Sequence, residues 1–295
     1  MRICVMCIIF FCVLAGSKAD ESDVKPPAGV LFDRDVVYGK GSEVELKLDI
    51  ARPEFANNAR PCVVLIHGGA WRAGNKAELD NFAIEFAKRE YVAATLGYRF
   101  CPQHVFPAQV EDVKCAIRFL RANAKKYGID PERIGAMGFS AGAHLAMMLG
   151  VMDKTDGLEG NGGWADQSSK VQAVVSYAGP VDLLAEYPDV SKGLVRDFIG
   201  GLPDKFSHAY KAASPVTYVN RGDAPMLLFQ GTEDELVPYK QVYRMIDALS
   251  AAGVPGHVEI LLGEKHGFTG TEVIRTLLES YAFFEAQFRV PRNTN

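Results

Sequence analysis

The 295-residue chain is 48% hydrophobic and 23% charged, enough apolar content for a large core, with no repeat or long low-complexity tract. Its 32 basic and 36 acidic residues give a formal charge of −4, which argues against a nucleic-acid binder. No Cys, His, Asp or Glu group has metal-ligand spacing, so neither a metal nor another cofactor is expected.

Near its start the chain has Arg2, then an apolar stretch over residues 3–14 and the small-residue run Ala15-Gly16-Ser17-Lys18-Ala19. That stretch is too short to span a bilayer and resembles a signal peptide over residues 1–19, cut after Ala19 or, alternatively, Ala15. The expectation is a secreted or periplasmic protein with no stable membrane insertion after cleavage; an uncleaved anchor is the alternative. Cleavage removes Cys4, Cys7 and Cys12 and deepens the formal charge to −6. Of the three cysteines left, Cys62 reads as buried in a strand. A disulfide between Cys101 and Cys115 stays open in an oxidising compartment.

Residues 20–295 read as a single α/β domain. Alternation predicts two antiparallel strands at 31–38 and 43–49. Parallel-sheet strands follow at 61–66, 91–97, 133–138, 171–176, 224–230 and 257–262. Helical patterns lie between or after them at 79–89, 109–127, 141–151, 239–252 and 271–288. In the second helix Val110, Val113, Ile117 and Leu120 have the spacing of a face covering a sheet. Ile129-Asp130-Pro131-Glu132-Arg133 reads as a turn, and the glycine-rich 153–170 as an exposed loop. Residues 182–216 hold short ambiguous helices where a lid would sit. They read as a partial cap over a pocket, or else as a surface connection.

Chemistry concentrates at strand ends. Gly138-Phe139-Ser140-Ala141-Gly142 sits at a strand-to-helix corner, the pattern of a nucleophile elbow holding a serine hydroxyl clear of the sheet. His67-Gly68-Gly69-Ala70-Trp71 follows another strand, and its glycines free backbone N–H groups for a ligand. Acyl transfer builds negative charge on a carbonyl oxygen, so donors must wait where that oxyanion forms. Gly69, Ala70 and Ala141 are the natural set, and Gly68 either contributes or shapes the turn.

Serine is a poor nucleophile near neutral pH without an imidazole to take its proton. A carboxylate must in turn fix the ring tautomer and stabilise the imidazolium. His266, beyond the strand at 257–262, falls where the base belongs. Glu233, Asp234 and Glu235 compete for the acid. Asp234 is preferred because it leaves Leu236-Val237 to tuck into the core, although spacing alone does not decide it. His144 reads as a helix residue beneath the elbow, His257 as a strand start, and His104 and His208 as loop residues. His67 reads as a support of the oxyanion loop.

These segments resemble the α/β-hydrolase superfamily, in its esterase/lipase branch near bacterial acetyl-esterase and feruloyl-esterase-like (BD-FAE-like) proteins. The likeness spans most of the chain from about Pro61 onward. It implies a mostly parallel sheet of about eight strands with helices on both faces, Ser140 as nucleophile, Asp234 as acid and His266 as base. The H-G-G-x-W form points to the small-ester and feruloyl-type branch, which is also similar to arylformamidases. One departure is Glu264-Lys265 ahead of His266, where small residues are common.

Trp71, Tyr98, Tyr177 and Phe268 are candidate pocket aromatics, with core packing the alternative for each. The reading is a serine hydrolase of short-chain acyl esters, including acetyl groups on carbohydrate, with a small-molecule ester as its partner and oligomeric state open. Alternatives are an amide-cleaving relative (an arylformamidase or small serine peptidase) or a non-catalytic binding protein on this scaffold.

Overall fold

The computed structural model describes residues 24–55 and 58–289, so the expected leader lies outside the described residues. Eight strands form one sheet in the order β1-β2-β4-β3-β5-β6-β7-β8. β1 (Val30–Gly41) and β2 (Val44–Pro53) form an antiparallel hairpin, and β2 runs antiparallel to β4 (Val92–Leu96). β3 (Arg60–Ile66), β4, β5 (Ile129–Phe139), β6 (Val174–Tyr177), β7 (Met226–Gly231) and β8 (Gly256–Leu261) are mutually parallel. The α/β-hydrolase fold expected from the sequence is the fold observed.

Parallel strands need long crossovers, and the helices that make them cover both faces of the sheet. The helices are α1 (Asp80–Ala87), α2 (Ala108–Ala122), α3 (Ala124–Tyr127), α4 (Ala141–Val151), α5 (Asp189–Ile199), α6 (Pro203–Ala212), α7 (Gln241–Ala252) and α8 (Gly270–Arg289). β3 shows why the core has two layers. Val63 and Leu65 join Phe82 and Phe86 of α1 and Phe284 of α8 on one side. Cys62, Val64 and Ile66 join α2, α4 and α7 on the other. Val110, Val113, Ile117 and Leu120 of α2 are all fully buried, as their spacing predicts.

β3 has β4 on one side and β5 on the other, because the chain winds one way after β3 and then crosses back. Such a reversal opens a crevice beyond the carboxyl ends of the two strands, where open α/β sheets bind ligands. The H-G-G-A-W loop leaves β3 and the serine elbow leaves β5, so both sequence signals fall into that crevice.

Several expectations are corrected. The turn at residues 129–133 belongs to β5: Arg60 pairs with Ile129 and Cys62 with Ile134, so the extra residues around Pro131 form a bulge instead of ending the strand. The helix expected over 109–127 breaks at Asn123 into α2 and α3. His208 lies in α6, not in a loop. Cys101 and Cys115 are free; Cys101 Sγ approaches the Ala70 carbonyl at 3.9 Å and Cys115 Sγ the Tyr38 carbonyl at 3.8 Å, so they face different neighbours. The loop 153–170 is largely exposed, as expected, but it is anchored to the core. Glu159 meets the buried Lys114 at 2.9 Å and Arg118, and Trp164 Nε1 donates to the Tyr38 carbonyl at 2.8 Å. Burial alone would raise the Glu159 carboxyl, but hydrogen bonds from Lys114 and Ser169 bring it below its usual value.

Candidate active site

Ser140 sits between β5 and α4 with φ 54° and ψ −118°, a conformation L-residues seldom adopt. What enforces it is close packing. A Cβ on Gly138 would lie 2.1 Å from the Gly142 oxygen, and one on Gly142 would lie 2.1 Å from the Ile66 oxygen. Ser140 N–H donates to the Tyr177 carbonyl at the end of β6 at 2.8 Å. The first bond of α4 runs from His144 N–H to the Ser140 carbonyl at 3.0 Å. Ala141, at the first position of that helix, therefore has no carbonyl a turn earlier to meet its N–H.

His266 is carried by the loop between β8 and α8. Its Nε2 stands 2.7 Å from Ser140 Oγ and its Nδ1 2.9 Å from Asp234 Oδ2. The Asp234 side chain is fully buried and that of His266 is 18% exposed, so the relay is shielded except toward the base. The other Asp234 oxygen accepts the N–H groups of Leu236 and Val237 at 2.8 Å each. Glu233 and Glu235 are exposed, which separates the three competing carboxylates. Sequence reasoning missed Gln230, whose Nε2 donates to Asp234 Oδ2 at 2.8 Å and to the Val237 carbonyl at 3.2 Å. A polar residue closing the apolar run Met226-Leu227-Leu228-Phe229 was the available signal. Glu264 also gains a reason: its carbonyl accepts Glu233 N–H at 2.9 Å and its side chain accepts Thr269 N–H at 2.9 Å, tying the base loop to the acid loop.

The loop after β3 takes an unusual path. Gly69, Ala70 and Trp71 have φ of 103°, 52° and 58° in succession. A Cβ on Gly69 would lie 2.1 Å from the Ala73 oxygen. The Gly69 carbonyl accepts the N–H groups of Arg72 and Ala73, whereas the N–H groups of Gly69 and Ala70 enter no main-chain bond among the described residues. Gly68 runs alongside the nucleophile: a Cβ on it would come within 3.4 Å of Ser140 Cβ.

All four aromatics proposed for a pocket are buried in the core. Trp71 stacks on Phe198 of α5 at 4.2 Å and donates from Nε1 to His144 Nδ1 at 3.2 Å. Tyr98 stacks on His67 at 4.5 Å. Tyr177 bonds its hydroxyl to Ser280 Oγ at 2.7 Å, and Phe268 packs beside the Tyr177 ring at 5.8 Å. His67 and His144 serve the scaffold, not the relay. His144 Nε2 bonds the Ala213 carbonyl at 2.7 Å and His67 Nδ1 the Gly68 carbonyl at 2.8 Å. Burial lowers both imidazoles to about 4, so both are neutral at neutral pH.

Among the described residues no group of His, Cys, Asp and Glu could hold a metal ion, and no helix is long and apolar enough to cross a membrane. A serine, histidine and carboxylate in relay beside free backbone N–H groups, at the switch point of a parallel sheet, define an α/β-hydrolase of the esterase branch. The BD-FAE family model matches residues 48–249, and the chain belongs to that family.

Isoprenylcysteine alpha-carbonyl methylesterase ICME of Arabidopsis thaliana is 30% identical over 244 residues, 79% of this chain and 56% of its own length. The chain spans between half and two-thirds of the length of such curated relatives. A carbohydrate esterase from gut microbiota, solved in truncated form, superposes with a TM-score of 0.76 at 28% identity, covering 87% of this chain and 96% of that one. The propionate-bound thermophilic esterase Est2 of Thermogutta terrifontis gives 0.74 at 29% identity, covering 91% and 99%.

Proposed function

We propose that the protein is an exported serine carboxylic-ester hydrolase that cleaves short acyl esters, acetyl groups on carbohydrate foremost, through an acyl-enzyme. The observation that carries this reading is the relay from Ser140 Oγ through His266 to Asp234, at 2.7 and 2.9 Å. Asp234 accepts a hydrogen bond from Nδ1–H, which holds the tautomer whose Nε2 lone pair takes the Ser140 proton as Oγ attacks the ester carbonyl. The N–H groups of Gly69, Ala70 and Ala141 receive the oxyanion, with Gly68 shaping their approach. His266 then protonates the departing alcohol, and a water activated by the same Nε2 releases the acid and restores Ser140.

Short acyl groups are favoured because the segment over the crevice is built from two helices of 11 and 10 residues, α5 and α6, instead of a large apolar lid. The propionate-bound neighbour supports a small acyl group and the carbohydrate esterase supports a sugar alcohol. Export rests on the leader pattern of residues 1–19.

Hydrolysis of p-nitrophenyl esters from acetyl to dodecanoyl, of acetylated oligosaccharides and of an aryl formamide tests the proposal. The expected result is turnover of acetyl and butyryl esters, a steep loss with longer chains, and acetate release from the oligosaccharides. An enzyme that cleaves the formamide in preference to every ester, or no ester at all, overturns it.

A further inference from the structure

We propose that Tyr98 is a positioning residue for the oxyanion hole, its hydroxyl holding the peptide that carries the Gly69 N–H at its aim. This rests on the acyl-transfer reading above and adds to it a residue outside the relay.

Register brings the group there. Ile66 of β3 pairs with Leu96 of β4 in parallel, so residues two beyond each, Gly68 and Tyr98, leave the sheet side by side. The Tyr98 hydroxyl lies 3.1 Å from the His67 carbonyl and 3.2 Å from the Gly68 carbonyl and donates across both. His67 Nδ1 adds a second donor to the Gly68 carbonyl at 2.8 Å. In a trans peptide the C=O and the following N–H share one plane and point in opposite directions. Pinning the Gly68 oxygen therefore fixes the Gly69 N–H on the other side of that plane, and pinning the His67 oxygen does the same for the Gly68 N–H. Positive φ at three successive residues makes this loop one that needs external restraint.

Tyr98 is itself immobilised on both flanks. The Gly97 N–H donates to the Lys47 carbonyl at 3.0 Å, and the Gly97 carbonyl accepts the Tyr38 hydroxyl at 2.7 Å. The Arg99 N–H donates to Asp112 Oδ2 at 2.9 Å. The ring is clamped between the His67 stack and the edge of Phe100 at 5.5 Å. Burial pushes the hydroxyl pKa up, so the group stays a donor across the working pH range. An open pocket of about 230 Å³ lies beside the ring, lined by His67, Gly74, Tyr98 and Phe100 among others.

Tyr98→Phe removes the hydroxyl and keeps the ring, so the stack on His67 survives. The expected result with p-nitrophenyl acetate is a fall in kcat of about 10- to 100-fold with KM changed less than about threefold, because the lost restraint acts on a donor used at the oxyanion. Affinity for a trifluoromethyl ketone, which forms an oxyanion on Ser140, should fall by a similar factor. A purely structural tyrosine would lower the melting temperature and leave the kcat-to-KM split and the inhibitor affinity in place, which would overturn the proposal. Amide hydrogen exchange at Gly69 decides the matter independently of turnover: faster exchange in Tyr98→Phe than in the wild type supports the restraint, and equal exchange contradicts it. A wild type that cleaves no ester sinks the functional reading, and the exchange comparison still decides this one.

Discussion

At the scale of single residues, the acid was separable from its neighbours only by what it touches. Asp234 has its two oxygens met by two backbone N–H groups, Gln230 and His266, whereas Glu233 and Glu235 face solvent. Ser140→Ala should lower kcat for p-nitrophenyl acetate by about 10⁶-fold, since nucleophile and base act as one unit. Asp234→Asn should cost about 10⁴-fold, because the amide favours the wrong tautomer of His266.

The buried histidines carry a pH prediction. His67 and His144 titrate at about 4 in the folded protein, because burial disfavours the imidazolium, and near 6.5 when unfolded. Between those values the unfolded chain binds the extra protons, so stability is full above pH 6.5 and is lost as pH falls toward 4. The loss is up to about 3 kcal/mol per histidine. Melting temperature should fall across that window, and NMR ring signals of both histidines should stay those of neutral imidazole down to about pH 5. Titration of either near 6.5 would contradict the assignment.

At the scale of elements, α5 joins the two halves of the site. Near its end Phe198 stacks on Trp71 and Asp197 meets Arg72 at 3.6 Å, both in the loop after β3. Near its start Ser191 Oγ donates to the Leu236 carbonyl at 2.7 Å, in the loop that carries Asp234. The segment expected as a cap thus braces the oxyanion loop against the acid loop. Phe198→Ala removes a fully buried ring and should cost about 3–5 kcal/mol in urea unfolding, together with a lower kcat from a loosened Trp71. A loss of stability with kcat untouched would show that the brace does not reach the site.

Elements were legible where periodicity and chemistry coincide. β3, α4 and α8 lie within a residue of the predicted bounds, and Ser140, Asp234 and His266 meet because each follows a strand of one parallel sheet. The bulge at Pro131 was illegible because a proline among polar residues reads as a breaker, and pairing with β3 overrode that local signal. For the four aromatics the sequence left pocket and core open, because it shows where a ring is attached but not which side of the sheet or loop it turns toward; all four are buried. Trp71, in the positive-φ loop after β3, packs on Phe198, and Tyr98, after β4, packs on His67.

At the scale of the whole molecule, two apolar layers hold the sheet while the reactive groups gather beyond the carboxyl ends of its strands. α8 closes one layer with Tyr281, Phe284 and Phe288, and Phe284 is fully buried. Phe284→Ala should lower the urea midpoint by an amount equivalent to about 3–5 kcal/mol while leaving kcat at 25 °C close to wild type, since the ring lies away from the relay. A fall in kcat of tenfold or more would mean that the layer and the site are not separable.

The central claim is that Ser140 becomes acylated, and acid-quenched intact-mass spectrometry during p-nitrophenyl acetate turnover tests it most directly. The predicted result is a transient mass gain of one acetyl group, mapped to the peptide bearing Ser140 and absent in Ser140→Ala. Ester turnover that persists in Ser140→Ala, or an acetyl group mapped to another residue such as Cys101, would contradict it.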